Sequence, residues 1–110
     1  MNRNKVFSYL GFAARSRNLV TGGNTCVMMM SKKKIKLLIL TKDLSENTMK
    51  KMLQQCSKWN IVYRIFGSSE ELSQITGKAG KGVFGITDQH FAEIILKEID
   101  LIQSEREVFE

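Results

Sequence analysis

The segment "TGGN", residues 21–24, combines residue types that suit a helix start open to a ligand. Backbone N–H groups in the first turn of a helix are unpaired and lie at the positive end of the helix dipole, which favours phosphate. Asn24 adds a side-chain donor and acceptor for base edges, and Gly22 and Gly23 permit close approach of a bulky backbone. An ordinary N-cap uses the same residue types, so the segment alone leaves both interpretations open.

A cluster of lysines follows at the expected end of the same helix. Its members, within "SKKKIK", are Lys32, Lys33, Lys34 and Lys36. Such a cluster attracts an RNA backbone, but lysines also stabilise the C-terminal end of a helix and stay solvated there. Both roles agree with the sequence.

The glycine-lysine segment "GKAGKG", residues 77–82, is a second candidate contact, in which Lys78 and Lys81 lie on either side of Gly80. It lacks the G-x-x-x-x-G-K-[ST] spacing of a nucleotide-binding loop and precedes a predicted strand, so it is a weak nucleotide signal. A loop of this kind can pack against an extruded nucleotide in irregular RNA. A plain surface loop is the alternative.

Reactive side chains are few and form no recognisable catalytic or metal-binding pattern. His90 has no nucleophile near it in the sequence, so we expect it to be a surface residue. Cys26 and Cys56 form no CxxC pair and lie on apolar helix faces, which predicts buried free thiols in a reducing compartment. We therefore predict no catalytic residues, no metal, no cofactor and a chain that is not an enzyme.

The charge distribution is typical of a protein that binds a polyanion. The formal net charge is +6, but residues 1–92 carry 15 Lys or Arg against five Asp or Glu, whereas residues 93–110 carry six acids against two bases. A basic body favours nucleic acid as the partner over a merely solvating set of lysines. No apolar run approaches the roughly 20 residues of a membrane span, and the basic start lacks a signal-peptide cleavage site. We expect no membrane partner and a cytoplasmic location.

Alternating helix and strand patterns predict one α/β domain over residues 1–104, followed by an acidic tail at 105–110 that frays. The predicted helices are 3–14, 24–34, a third that Asp43 or Ser45 caps and that continues to about Trp59, a short helix with Ser68 and Glu71 at capping-box spacing and Gly77 at its end, and 88–103. The predicted strands are 19–20, 35–40, 61–66 and 83–87. Short connections between these elements imply helices on both faces of a central sheet, an α/β/α sandwich.

Four segments, taken in order, resemble the bacterial YlxQ-type branch of the kink-turn-binding ribosomal protein family. They are "LGFAARSRNLVTGGNT", "KLLILTKDLSENTMKKMLQQC", "FGSSEELSQITGK" and "GITDQHFAEII", and the resemblance spans residues 4–98. It implies an α/β/α sandwich around a four-stranded mixed sheet. It also implies binding to kink-turn RNA, a bent helix with tandem sheared G·A pairs and an extruded loop nucleotide.

The family motif at the second helix start reads Gly-x-Asn-Glu with a lysine further along, and part of it is present here. Gly22 and Asn24 match the glycine and the asparagine, so the resemblance gives Asn24 the contact with a base at the G·A pairs. Thr25 stands at the acidic position and retains hydrogen-bonding capacity, whereas Met28 stands at the lysine position and cannot contact phosphate or a guanine edge. The 77–82 loop corresponds to the family's second contact region, with lysines in place of the more usual apolar residues.

The sequence therefore predicts a non-catalytic protein that binds kink-turn or related structured RNA, with ribosomal RNA as a candidate partner and association with the ribosome as an expectation. In this interpretation the helix start at 22–24 enters the RNA groove, the lysines of 32–36 attract the flanking backbone, and the 77–82 loop holds the extruded nucleotide. A protein-interaction adaptor with little kink-turn selectivity, bound to ribosomal or other proteins, is the alternative. A fragment of an RNA methyltransferase is disfavoured because the sequence contains no cofactor motif.

Overall fold

The computed structural model describes residues 3–79 and 81–109, over which helices and strands alternate. The helices are α1 (Arg3–Arg15), α2 (Gly23–Ser31), α3 (Glu46–Trp59), α4 (Ser69–Thr76) and α5 (Gln89–Phe109). The strands are β1 (Leu19–Thr21), β2 (Leu37–Leu40), β3 (Tyr63–Ile65) and β4 (Val83–Ile86). Every predicted helix and strand is present, in the predicted order.

The strands form one mixed sheet in the order β1-β4-β2-β3. β4 is antiparallel to both β1 and β2, whereas β3 runs parallel to β2 at the edge. The three strands that run in one direction therefore begin at one end of the sheet and finish at the other. We call the end with Thr21 and Val83 the near end, and the end with Leu19 and Ile86 the far end.

Helices cover both faces of the sheet because alternate strand residues point to opposite faces. Leu37 and Ile39 lie in a core with side chains of α1, α4 and α5, while Leu38 and Leu40 lie in a second core with α2 and α3. All residues of β2 and β4 are buried, as expected for strands covered on both sides. The predicted α/β/α sandwich with a four-stranded mixed sheet is confirmed.

Three elements end or begin two or more residues inside the ranges predicted from the sequence: α2, β3, and β2, which begins at Leu37 instead of residue 35. α2 ends at Ser31, three residues before the predicted end, because the backbone at Lys33 turns into the left-handed region, with φ of 58°. β3 is shorter than the predicted 61–66 strand, and two of its three residues are exposed because it lies at the edge of the sheet.

α5 continues to Phe109, through most of the 105–110 segment that the sequence assigns to a tail. The glutamates and arginine of this segment are good helix formers. Glu110 lies outside the described residues, and the division at residue 104 stays a prediction. Among the helices that the structure describes, none is long and apolar enough to cross a membrane.

Both cysteines lie in the core between the sheet and the pair α2 and α3, which confirms the predicted buried free thiols. Cys26 is fully buried and Cys56 is 2% exposed. Burial raises the pKa of Cys26 to about 12, with a smaller contribution from the charge of Cys56, and raises the pKa of Cys56 to about 11. Removal from water disfavours the thiolate, which is the reactive form.

We expect both thiols to be unreactive in the folded protein. Their raised pKa values leave very little thiolate at mildly alkaline pH, and burial denies access to a reagent. Titration with a chromogenic disulfide reagent should show no rapid reaction in buffer and reaction of both thiols after unfolding in guanidinium chloride. A thiol that reacts in native buffer as fast as free cysteine would contradict this expectation.

Candidate functional site

The start of α2 differs from the starts of α3 and α4 because no side chain caps it. Gly22 is the N-cap residue, with φ of 92° and no side-chain hydrogen bond, and the first turn of α2 contains no acid. By contrast, Ser45 accepts from the Thr48 N–H at α3, and Ser68 forms a capping box with Glu71 at α4. The N–H groups of α2 and its positive dipole end are therefore available to an anionic or polar ligand.

Asn24, Thr25 and Met28 lie on the exposed part of this helix start. All three are exposed to solvent, and Met28 keeps 50% of its accessible surface. Asn24 is the second residue of α2, so it is not the N-cap that the alternative interpretation of the sequence requires. Asn24 and Met28 are four residues apart and share one face of the helix, so residue 28 lies next to any ligand that Asn24 contacts.

A groove of about 370 Å³ lies between the start of α2 and the side of α3. Its lining residues are Gly23, Asn24, Val27, Thr48, Lys51, Met52 and Gln55. Lys51 is exposed, so it adds a positive charge to the groove that Asn24 lines. Lys51 was not among the residues predicted from the sequence, although the spacing of Thr48, Lys51 and Gln55 places three polar side chains on one face of a helix.

The glycine turn before α2 and the end of the 77–82 loop lie side by side at the near end. The Gly22 N–H donates to the Val83 carbonyl over 2.9 Å. On the other side of β4, the Thr41 N–H donates to the Gly82 carbonyl over 3.0 Å. The two regions that the sequence analysis identified as contacts are thus brought together, although about sixty residues separate them along the chain.

The described lysines of the 77–82 loop are both exposed. Lys78 follows the left-handed residue Gly77 that ends α4, and Lys81 itself adopts φ of 51°. Gly80, which the sequence also predicts as a contact, lies outside the described residues. The loop therefore presents two positive charges at the near end.

Gly82 fixes the exit of this loop because its backbone conformation and its surroundings both exclude a side chain. Its φ of 89° lies in the left-handed region. A Cβ at this position would lie 2.5 Å from Thr41 Oγ1 and 2.6 Å from Leu44 Cδ2. At Gly77, which also has a positive φ of 69°, a Cβ would meet nothing within 4 Å.

Acidic side chains at the near end hold the start of α4. Asp43, which the sequence offers as a cap for α3, instead accepts from the Ser69 N–H over 3.0 Å. Glu71 accepts from the Ser68 N–H over 3.0 Å and pairs with Arg3 at 3.1 Å. Desolvation raises the pKa of Glu71, but the hydrogen bonds from Ser68 and the charge of Arg3 outweigh it, so the pKa is lowered overall. These ionised carboxylates offset part of the positive charge of the near end.

The lysine cluster of 32–36 lies at the far end, at the opposite end of α2 from Asn24. The nine residues of α2 span about 13 Å. The Lys36 N–H donates to the Ile86 carbonyl over 2.8 Å, which places this turn at the end of β4 that is remote from Val83. The structure therefore brings the start of α2 together with the 77–82 loop, but it does not bring the lysine cluster to them.

The groups that the near end presents are suited to binding. They are backbone N–H groups, an amide, a hydroxyl and ammonium groups, which bind anions and base edges. His90, predicted to be a surface residue, is exposed in the first turn of α5. Among the side chains that the structure describes, within residues 3–79 and 81–104, no three of His, Cys, Asp or Glu are grouped so that they could hold a metal ion.

Known proteins match most of the length of this chain. The profile of the ribosomal protein L7Ae/L30e/S12e/Gadd45 family matches residues 4–96. The RNA-binding protein YlxQ of Bacillus subtilis (strain 168) is 33% identical over 94 residues, which cover 86% of this chain and 94% of that protein. The RNA-binding protein YlxQ of Enterococcus faecium is 35% identical over 92 residues, which cover 84% of this chain and 88% of that protein.

Two solved structures share the fold. A protein of unknown function from Bacillus halodurans C superposes with a TM-score of 0.83 at 33% identity, covering 87% of this chain and 97% of that one. A 15.5 kD RNA-binding protein from Giardia lamblia superposes with a TM-score of 0.73 at 14% identity, covering 89% of this chain and 87% of that one. At so low an identity, the second similarity concerns the fold alone.

We expect Gly82→Ala to destabilise the protein more than Gly77→Ala. Both substitutions place a Cβ on a left-handed residue, which costs about 1–2 kcal/mol. At position 82 the methyl group also collides with Thr41 and Leu44, which adds about 1–3 kcal/mol. Urea unfolding followed by circular dichroism measures the difference, and equal losses of stability would show that the loop exit accommodates a side chain.

Proposed function

The chain belongs to the ribosomal protein L7Ae/L30e/S12e/Gadd45 family, and from this membership we propose that it is a non-catalytic protein that binds kink-turn or related structured RNA. Its relatives of 33% and 35% identity are named RNA-binding proteins. The observation that carries the proposal is the uncapped start of α2, which presents Asn24 beside the 77–82 loop. Because the family includes ribosomal proteins, we propose ribosomal RNA in the cytoplasm as the first natural RNA partner to test.

In the proposed complex, the start of α2 enters the groove that the bend in the RNA widens. The N–H groups of its first turn, at the positive end of the helix dipole, donate to phosphate or to base acceptors. The Asn24 amide, with both a donor and an acceptor, reads a base at the G·A pairs. Gly22 and Gly23 have no side chains, so the RNA backbone approaches the helix closely, and the Thr25 hydroxyl adds a hydrogen-bonding group.

Positive charge beside Asn24 comes from α3 in this proposal. Met28 is half exposed but uncharged, so it offers the RNA apolar contact only. Lys51 lines the same groove as Asn24 and donates to a phosphate there. In this proposal Lys51 of α3 supplies the positive charge that the family motif supplies from a lysine on α2, at the position of Met28.

The 77–82 loop holds the extruded nucleotide in the same proposal. Lys78 and Lys81 are exposed on this loop, so they contact phosphate where the family more usually has apolar residues, and Gly80 lets the nucleotide approach the backbone. The hydrogen bonds that join both sides of β4 to its neighbours keep this loop next to the start of α2.

The proposal is tested by comparing the affinity for a kink-turn RNA with the affinity for a straight duplex of equal length and base composition. Filter binding or fluorescence anisotropy should show tighter binding of the kink-turn RNA at each salt concentration. Both affinities should fall as salt rises, because phosphate contacts release counterions. Equal affinities would contradict kink-turn recognition, and no binding of either RNA at low salt would favour a protein-interaction adaptor.

Asn24→Ala should weaken kink-turn binding by about 1–3 kcal/mol, the usual value of a good side-chain contact to a base edge. Asn47→Ala is the matched control, because Asn47 is also the exposed second residue of its helix, but Ser45 caps that helix start. Isothermal titration calorimetry measures both affinities, with circular dichroism to verify folding. A folded Asn24→Ala protein that binds as tightly as the unsubstituted protein would exclude base reading by Asn24.

Met28→Lys should strengthen kink-turn binding and steepen the salt dependence by about one unit of slope, because it adds one phosphate contact next to Asn24. Leu101→Lys is the matched control, since Leu101 on α5 has the same 50% exposure and the substitution adds the same charge. Affinities for the kink-turn RNA and the duplex are measured for both variants. An equal gain from the two substitutions would indicate general attraction instead of a contact beside Asn24.

A further inference from the structure

Cations lie together at the far end of the sheet, in the turns that precede β1 and β2 and in the last turn of α3, the helix before β3. Six exposed side chains there form what we call the far-end surface: Arg17, Lys32, Lys33, Lys34, Lys36 and Lys58. Arg17 precedes β1 and Lys36 precedes β2, and β4 alone separates these two strands. Neighbouring strands lie about 4.8 Å apart, so the two turns are about 10 Å apart across the sheet.

Little negative charge opposes the far-end surface. In the described turns at this end, the one acid is Asp88, whose carboxylate accepts from the Phe91 N–H over 2.8 Å at the start of α5. The ion pairs among the described residues are Arg3–Glu71, Lys5–Glu98 and Arg64–Asp100. None of these pairs uses a cation of the far-end surface. The near end, by contrast, carries four acids: Asp43, Glu46, Glu70 and Glu71.

Two cations of the far-end surface occupy a backbone conformation that favours glycine. Lys33 has φ of 58° and Arg17 has φ of 63°. The N–H of each donates to the carbonyl three residues back, and the N–H of the next residue donates to the carbonyl five residues back. This is the pattern of a Schellman motif, in which glycine is the usual residue. α4 ends at a left-handed glycine, Gly77, whose N–H donates to the Ser73 carbonyl. At positions 17 and 33, therefore, a cationic residue occupies a backbone conformation that glycine adopts with less strain.

We propose that the far-end surface binds the sugar–phosphate backbone of a double-stranded RNA segment that is separate from the segment at Asn24. The two ends of the sheet face opposite directions, so a groove that encloses the start of α2 faces away from this surface. Lysine and arginine side chains on an open surface recognise phosphate charge and carry no base information, so binding here is insensitive to sequence. The choice of RNA as the ligand rests on the proposed function. The position of the binding surface rests on the charge distribution alone.

Stabilisation of helix C-terminal ends is the competing explanation for these cations. It accounts for Lys58 in the last turn of α3, but it does not account for the five cations that lie outside the helices, in the two turns that precede β1 and β2. It also does not account for a positive φ at Lys33 and at Arg17. The two explanations predict different outcomes when the cations are removed.

The experiment uses the full chain, a kink-turn RNA and a short straight RNA duplex of unrelated sequence, each with its own fluorophore. In a one-to-one complex of the protein with kink-turn RNA, which leaves no excess of that RNA to compete for the far-end surface, the duplex should still bind and energy transfer between the two RNAs should appear. Lys32→Ala/Lys34→Ala should weaken duplex binding about fivefold or more and lower its salt slope by about two, while kink-turn affinity changes less than about twofold. The control Lys5→Ala/Lys97→Ala removes the same charge from exposed positions of α1 and α5 and should leave duplex binding nearly unchanged.

Displacement of the duplex by kink-turn RNA would overturn the proposal, because it would place all phosphate contacts in one interface. An equal loss of both affinities in Lys32→Ala/Lys34→Ala would overturn it for the same reason. Duplex binding that depends on the far-end lysines, without any preference for kink-turn RNA, would support the far-end surface and contradict the proposed function. The two hypotheses therefore fail in distinguishable ways.

Lys33→Gly separates charge from stability. Glycine adopts positive φ without a Cβ clash, so this variant should have a raised melting temperature and weaker duplex binding. A lowered melting temperature with unchanged duplex binding would assign Lys33 to helix capping and count against the proposal.

Discussion

The place of β4 in the middle of the sheet is the constraint on which the rest of the structure depends. β4 is the last strand along the chain, yet it is hydrogen-bonded to both β1 and β2. Its first carbonyl, at Val83, meets the Gly22 N–H, and its last, at Ile86, meets the Lys36 N–H. Gly85 lets α2 and the turn after it lie close above β4, since a Cβ there would be 3.2 Å from Cys26 Sγ of α2 and 2.7 Å from Ile35 Cδ1. This one buried strand thus fixes the position of the glycine turn before α2 and of the lysine turn after it.

The two ends of α2 carry different kinds of chemistry. At its start, backbone donors, Asn24 and Thr25 offer directional hydrogen bonds, and the acids nearby limit the attraction of polyanions. At its end, lysines offer charge with little direction. Directional groups discriminate between ligands, whereas charge draws in any phosphate backbone. A net charge of +6 therefore describes this chain poorly, because the near end carries acids beside its lysines whereas the far-end surface carries cations with little negative charge around them.

Most of the fold could be predicted from local sequence patterns, such as apolar spacing, capping residues and terminal glycines. Contacts between distant segments could not be predicted from these patterns. The capping box and the terminal glycine of α4 were expected from spacing and are present. The place of Lys51 beside Asn24 depends on how α3 packs against α2, which no local spacing encodes. The predicted end of α2 was wrong because lysine is a good helix former, so the sequence does not indicate the left-handed φ of 58° at Lys33. The separation of the lysine cluster from Asn24, in contrast, follows from their places at the two ends of α2, which the sequence already indicated.

The residues on either side of α2 are hydrogen-bonded to the two ends of β4. Between these two points α2 buries Cys26 and Met30 in the core. A residue inserted into it would lengthen the helix by about 1.5 Å and rotate all later positions by about 100°. Either the buried pair would leave the core or Asn24 would turn away from the near end. A change in the length of α2 would therefore be costly, and we expect this chain to tolerate insertions and deletions in its loops far better than within the nine residues of α2.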